Sequence, residues 1–344
     1  MLNFDFKAHA LAVVSLFAGP CTPPAAPSDT PDHDETAFVG DTMLAGDYAF
    51  SRLETEIEGH DGRALGLKLY VPDADGDYPV VILSHGFLLN AGLYASYGEH
   101  LASWGYVAVL VDFPKNLFSL PTHRDLKNYI INIIDWLDSA PPIFEGRANS
   151  EKLALAGHSL GGKISIYTAI EDDRVDAVFG IDAVDGSEES TFGPQPSPEN
   201  PSVTPEFMDR LKVPFVSLGE TLSGVGEGLF SSACAPLSQN FEQYYMHAEG
   251  PSLKIEILQA GHMSFLDNPH CGVACLVCAD ATVDEALIRG LTQRYLVAFL
   301  EMELRGYEGY ADYLTGTHMA LDIADGYVRS TSKNGFPTPV PAAQ

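Results

Sequence analysis

"LALAGHSLGGKISIY", residues 153–167, is an apolar run, then Gly-His-Ser-Leu-Gly-Gly, then a segment of helical character. A buried strand that breaks into a helix across glycines flanking a serine is the arrangement that lifts a hydroxyl nucleophile onto a tight turn. Gly157, Gly161 and Gly162 let the backbone turn sharply and let strand and helix approach. A glycine-rich junction with an incidental serine is written in the same letters. The reading of Ser159 as a nucleophile therefore needs a base, an acid and an oxyanion hole elsewhere in the chain.

The surroundings repeat one pattern. Apolar runs at 64–72, 78–86, 106–114, 153–157, 175–182, 213–220 and 253–261 predict strands. Apolar residues at helical spacing over 90–105, 123–140, 161–171 and 284–306 predict helices between and after them. Buried strands alternating with helices imply an α/β fold with a mostly parallel central sheet and helices on both faces. Residues 185–205, rich in Pro, Ser and Glu, form an excursion that cannot be core and is a candidate rim for a cleft.

In such a sheet the carboxyl ends of the strands open onto a crevice. His262 follows the strand at 253–261 directly, in a loop late in the chain, where this architecture delivers a base to a serine. His85, His123, His158 and His247 have no comparable partner pattern. The base needs a carboxylate to fix its tautomer. The commoner place, after the strand at 213–220, offers Glu220 and then Glu227. One strand earlier "VFGIDAVDG" offers Asp182 and Asp185, and the residues alone leave the choice open. "VILSHGF", residues 81–87, is strand then loop, so the Phe87 amide and the Leu160 amide after the serine are the expected oxyanion donors. Phe87, Leu88 and Tyr94, with Leu89 and Leu160, are the expected apolar wall for substrate.

The chain resembles the chlorophyllase family of α/β-hydrolases from about residue 67 to 306, through "PVVILSHGF", "LASWGYVAVLVD", "AGHSLGGK", "VFGIDAVDG", "LFSSACAPLSQNFEQYY", "AGHMSFLD" and "VAFLEMELRG" in that order. Leu160 stands where plant members typically carry Arg. The resemblance implies a triad of Ser159, Asp182 and His262, and platelet-activating-factor acetylhydrolases are similar in placing the acid one strand early. It implies a serine carboxylic-ester hydrolase without a cofactor, acting on a bulky hydrophobic ester, with the phytyl ester of chlorophyll as the first candidate. The alternatives are a general lipase or esterase, a polyester hydrolase, a phospholipid acetylhydrolase, or an inactive member used for binding.

The bulk of the chain narrows the setting. It has 344 residues, is 46% hydrophobic, and carries 47 acidic against 19 basic residues for a net charge of −28. A surface so acidic repels phosphate backbones and anionic lipid, so a nucleic-acid partner is not expected. Lys7 and the short apolar stretch at 8–19 read as an export signal within 1–20, and no stretch is long enough to span a membrane. Pro, Ala and Asp make 21–46 a linker, 47–310 is the expected catalytic domain, and 311–344 a tail without strong pattern. Cys21 sits where a lipoprotein carries its lipid, although Pro20 does not suit that cleavage site. Cys234, Cys271, Cys275 and Cys278 are expected to form two disulfides involving Cys234, with free thiols, or a metal site including His270, as the alternatives.

Overall fold

In the computed structural model, Val80 and Ile82 point to one face of a sheet and Val81 and Leu83 to the other, and all four are buried. A strand covered on both sides has no solvent face to alternate with, which is why these segments read as continuous apolar runs. The structure describes residues 40–115, 120–186, 196–225, 233–272, 275 and 278–337. The expected export signal, Cys21, most of the linker, Glu227 and residues 187–195 of the excursion lie outside them.

The sheet begins with β1 (Phe50–Glu58), β2 (Ala64–Pro72) and β3 (Tyr78–Ser84). Helix α1 (Ala95–Ser103) leads to β4 (Val107–Asp112), and α2 (His123–Asp138) to β5 (Ala148–His158). After α3 (Leu160–Glu171) come β6 (Ala177–Ile181), β7 (Phe215–Glu220), α4 (Phe241–His247) and β8 (Ser252–Ile257). The chain closes with α5 (Glu285–Glu303), α6 (Ala311–Thr315), α7 (Thr317–Ala324) and β9 (Val328–Lys333). Strand order across the sheet is β1-β2-β4-β3-β5-β6-β7-β8-β9. The run from β4 through β8 is parallel, and β1, β2 and β9 are antiparallel additions at the edges.

One face packs on α2 and α3, the other on α1 and α5. Leu126, Tyr129, Ile130, Ile133, Ile134 and Leu137 recur at helical spacing and form the buried stripe of α2. Thr122 starts that helix, its hydroxyl accepting from the Asp125 amide while the Asp125 carboxylate accepts from Thr122 N–H. The cap fixes where His123, the first helical residue, sits relative to the strand ends.

The expectation of a patternless tail at 311–344 is corrected for residues 311–333. Tyr313, Leu314, Met319 and Val328 enter the core, and β9 pairs with β8 from Val328↔Ile257 to Lys333↔Ser252. Asp322 accepts from Arg294 and from the Tyr295 hydroxyl on α5. Two helices of five and eight residues are too short to show a period, and "VRSTSK" is a polar edge strand with one buried residue, so neither is visible as a pattern. β1 is an edge strand as well, its open side lined by Arg52, Glu54, Glu56 and Glu58. Among the described residues no helix is long and apolar enough to cross a membrane.

Candidate active site

Ser159 lies between β5 and α3 with φ 56° and ψ −123°, a conformation that side chains other than glycine's rarely adopt. The neighbouring glycines hold it there. A Cβ on Gly157 would stand 2.3 Å from the Gly161 oxygen, and one on Gly161 would stand 2.2 Å from the Ser84 oxygen. One on Gly162 would press on Ala183 at 2.8 Å. The turn is thus wedged between the end of β3 and the residue after Asp182. Ser159 N–H donates to Ile181 O at 3.0 Å and Val184 N–H donates to Ser159 O at 3.2 Å, tying the serine to the end of β6 from both sides.

The structure brings Ser159, His262 and Asp182 together. His262 Nε2 is 2.9 Å from Ser159 Oγ, and His262 Nδ1 is 2.6 Å from Asp182 Oδ2. With Nδ1–H donating to the carboxylate, Nε2 is left to accept the serine proton. Burial holds the imidazole below its usual range, at about 4, so it is neutral and able to accept at pH 7. Asp182 is wholly buried, with its own amide donating to Leu218 O on β7 at 2.6 Å. Its φ of 44° turns the side chain off the strand and toward His262.

The two other acids do different work. Asp185 is buried and ion-paired with Lys163 of α3 at 2.8 Å. It also accepts from Ser202 Oγ at 2.7 Å and from the amides of Val203 and Thr204, anchoring the chain where it returns from the excursion. Glu220, at the commoner acid position, accepts from the Leu222 and Ser223 amides. Ser223 Oγ in turn accepts from His262 N–H at 2.9 Å. Burial and the nearby Asp182 push the Glu220 carboxyl up to about 8. Glu220 therefore shapes the turn that seats the histidine's backbone.

A buried relay escaped the sequence reading. Gly86 N–H donates to the Tyr94 hydroxyl at 3.3 Å, which donates to His158 Nδ1 at 2.7 Å. His158 Nε2–H then donates to the His262 carbonyl at 2.8 Å. The relay couples the loop after β3, the serine turn and the histidine loop. Tyr94 is fully buried and held beneath the turn, so its expected place in the substrate wall is corrected: its hydroxyl is committed to this relay. Leu89 is buried too, whereas Phe87 is half-buried and Leu88 is 45% exposed. His85 donates from Nδ1 to Gly86 O at 2.7 Å and accepts from Phe113 N–H at 3.3 Å, joining the loops after β3 and β4. The polar partners of Tyr94 and His158 lie 8 to 104 residues away in the chain, and no local pattern announces them.

The Phe87 and Leu160 amides make no hydrogen bond to another described residue. A Cβ on Gly86 would lie 3.1 Å from Ser159 Cβ, so the loop carrying Phe87 rests against the serine. Both N–H groups are therefore uncommitted among the described residues. Phe87, Leu88 and Leu160 open onto a cavity of about 320 Å³, continued by Phe113, Leu126 and Asn200.

The histidine loop is stapled from outside. Cys234 pairs with Cys278 and Cys271 with Cys275, so the four thiols are committed to each other. Among the described residues no group of three or more His, Cys, Asp or Glu could hold a metal. A Cβ on Gly261 would stand 2.1 Å from the Ala279 oxygen, so the segment fixed by Cys278 packs on the residue before His262. Cys234 and Cys278 are 44 apart in sequence, and closing such a loop contributes about 4 kcal/mol through the unfolded chain. Replacing both by Ser is expected to lower denaturant-unfolding stability by about that amount. Non-reduced peptide mapping should show the Cys234–Cys278 link, and four free thiols would refute it.

Known proteins resemble this chain over much of its length. The chlorophyllase family model matches residues 39–320. Chlorophyllase-2 of Arabidopsis thaliana is 29% identical over 254 residues, covering 68% of this chain and 77% of its own. Chlorophyllase type 0 of Chenopodium album is 27% identical over 262 residues, 70% of this chain and 72% of its own. A cutinase of Thermobifida cellulosilytica is 29% identical over a shorter stretch of 97 residues, 28% of this chain and 36% of its own.

Proposed function

This chain belongs to the chlorophyllase family, serine carboxylic-ester hydrolases of the α/β-hydrolase fold, and on that premise we propose that Ser159, His262 and Asp182 cleave a bulky hydrophobic ester. The observation that carries the proposal is the unbroken chain Ser159 Oγ–His262–Asp182, at 2.9 Å and 2.6 Å, beside two uncommitted amides. Ser159 Oγ attacks the ester carbonyl and its proton passes to His262 Nε2. Asp182 steadies the imidazolium, and the Phe87 and Leu160 amides receive the oxyanion. On collapse the bond to the alkoxy oxygen breaks, His262 gives that proton to the departing oxygen, the alcohol leaves, and the acyl group remains on Ser159 Oγ. Water then attacks the acyl group, its proton going to His262, and the serine leaves with that proton restored.

The phytyl ester of chlorophyll is the proposed substrate, supported by the family and by the apolar cleft of Phe87, Leu88 and Leu160. Chlorophyll a offered beside short- and long-chain nitrophenyl esters tests it. The expected result is chlorophyllide and phytol, and at least about tenfold higher kcat/KM on long chains than on acetate, one or two buried methylenes being worth that much. Acetate cleaved as well as the long chains, with chlorophyll untouched, would move the assignment to a general esterase. We further propose that the protein works outside the reducing cytosol, a reading its two disulfides support.

A further inference from the structure

The ring of His262 is set by its triad partners, but its backbone is held from elsewhere. The residue opens a single 3₁₀ turn, His262–Phe265, which is too short to fix its own place. Its N–H donates to Ser223 Oγ at 2.9 Å and its carbonyl accepts from His158 at 2.8 Å. Ser223 is 3% exposed, and its own N–H donates to the Glu220 carboxyl group at 3.0 Å. The base is therefore placed by whatever places Ser223 on one side and Gly261, the residue before it, on the other.

Both neighbours are held by segments that meet at one disulfide. Ala235, the residue after Cys234, donates from its N–H to Ser223 O at 3.1 Å, and Leu237 N–H donates to Gly224 O at 3.2 Å. The chain leaving Cys234 thus runs along the Ser223 turn. Ala279, the residue after Cys278, packs so closely on Gly261 that a Cβ there would stand 2.1 Å from its oxygen. Beyond it, Thr282 N–H donates to Gln259 O at 3.0 Å. Ser223, Cys234, Cys278, Gly261 and His262 form a closed circuit, and the Cys234–Cys278 bond is one link of it. Both cysteines are half-buried, so the bridge is not sealed in the core. The other bridge joins Cys271 and Cys275, four apart in sequence, and its short loop contains neither Ser223 nor Gly261.

Resting on the ester-hydrolase reading, we propose that the Cys234–Cys278 bridge is a redox-sensitive positioning element for His262, so that the enzyme reaches its full rate only when this bridge is oxidised. A dithiol opens it. One thiolate of the reagent attacks one bridge sulfur, a mixed disulfide forms, and the other cysteine leaves as a thiolate and takes up a proton. The second thiol of the reagent then displaces the remaining protein sulfur. Two cysteine thiols and a cyclic disulfide result, the dithiol supplying both electrons. With that link gone, the Ser223 turn and Gly261 are no longer fixed to each other, and His262 Nε2 moves relative to Ser159 Oγ. Misplacing a catalytic group by 1 Å costs about a hundredfold in rate. The substrate cavity is lined by the loops after β3 and β4, the start of α2, Leu160 and Asn200, and by none of these residues, so binding is spared. A chain that leaves a reducing compartment gains its activity as the bridge closes.

Stepwise treatment of the oxidised protein with dithiothreitol tests this. At each step kcat and KM are measured on a long-chain nitrophenyl ester, and a parallel sample is alkylated to show which cysteines are free. As Cys234 and Cys278 are freed, kcat should fall at least about tenfold, toward the hundredfold of a displaced group, with KM within about threefold of its starting value. The circular dichroism spectrum should not change, and reoxidation should restore kcat. Cys234→Ser/Cys278→Ser should start at the reduced value and ignore the dithiol. Full kcat with Cys234 and Cys278 both free overturns the proposal. So does a loss that follows Cys271 and Cys275 instead, or one that comes only with loss of the folded spectrum. The low-field proton resonance of His262 Nδ1–H, bonded to Asp182 at 2.6 Å, reads the ring's position without substrate. It should shift or broaden on reduction, and an unchanged resonance would also overturn the proposal. A resonance that moves, with no ester hydrolysed by the oxidised protein, would count against the hydrolase reading and leave the positioning role standing.

Discussion

Ser159→Ala is expected to lower ester hydrolysis by at least about a thousandfold while leaving the fold intact. Serine-triad enzymes lose on the order of 10⁶ in kcat when the nucleophile goes, and keep only what the oxyanion hole and binding supply. The fold should survive because the turn does not depend on the hydroxyl. The hydrogen bonds that fix Ser159 to Ile181 and Val184 are made by its backbone. The glycine contacts around it are backbone contacts as well. Alanine keeps the same Cβ in the same strained conformation, so it neither relieves nor adds strain. The variant should also lose labelling by a fluorophosphonate probe, with an unchanged circular dichroism spectrum and Tm. Residual turnover above about 5% of wild type, against the large losses such removals cause, would mean that another group attacks.

The nucleophile turn was legible because its constraint is local. Only glycine fits at Gly157 and Gly161, and the strand before them and the helix after them each show their own period. The parallel sheet was legible because burial on both faces writes itself as apolar runs. What stayed hidden depends on contacts distant in sequence. Nothing in "GIDAVDG" tells that the first aspartate turns toward a histidine 80 residues on while the second meets a lysine 22 residues back. Lys163 reads as an ordinary polar position of α3, yet it is 1% exposed. Tyr94 reads as a cleft aromatic because its sequence neighbours Phe87 and Leu88 do face the cavity, while its own hydroxyl is drawn inward by His158. His123 reads as the first residue of a helix, and only the structure shows that its buried Nδ1 has no hydrogen-bond partner among the described residues.

The two aspartates separate most sharply when stability and turnover are measured together. Asp182→Asn should cost about 10⁴-fold in kcat, the loss seen when a triad histidine's orienting carboxylate becomes an amide. It should cost no stability. Asp182 is wholly buried, its Oδ1 has no hydrogen-bond partner among the described residues, and burial pushes its carboxyl up. A carboxyl whose value is raised on folding opposes folding wherever the unfolded chain would ionise it, so at pH 7 the neutral amide removes a penalty. Its Tm should equal or exceed that of wild type. Asp185→Asn should do the reverse. It leaves Lys163 buried without its counter-charge, and breaking a buried pair from one side costs about 3–5 kcal/mol. The Ser202, Val203 and Thr204 bonds that hold the returning excursion weaken with it. Because Asp185 touches neither Ser159 nor His262, turnover per folded molecule should stay within about tenfold of wild type, the chemistry losing no transition-state contact. Chemical denaturation and active-site titration of both variants, side by side, give the four numbers required. A stable Asp185→Asn protein with turnover lost a thousandfold would transfer the acid's role to Asp185. Full activity in both would transfer it to Glu220, whose carboxyl group already reaches the His262 backbone through Ser223.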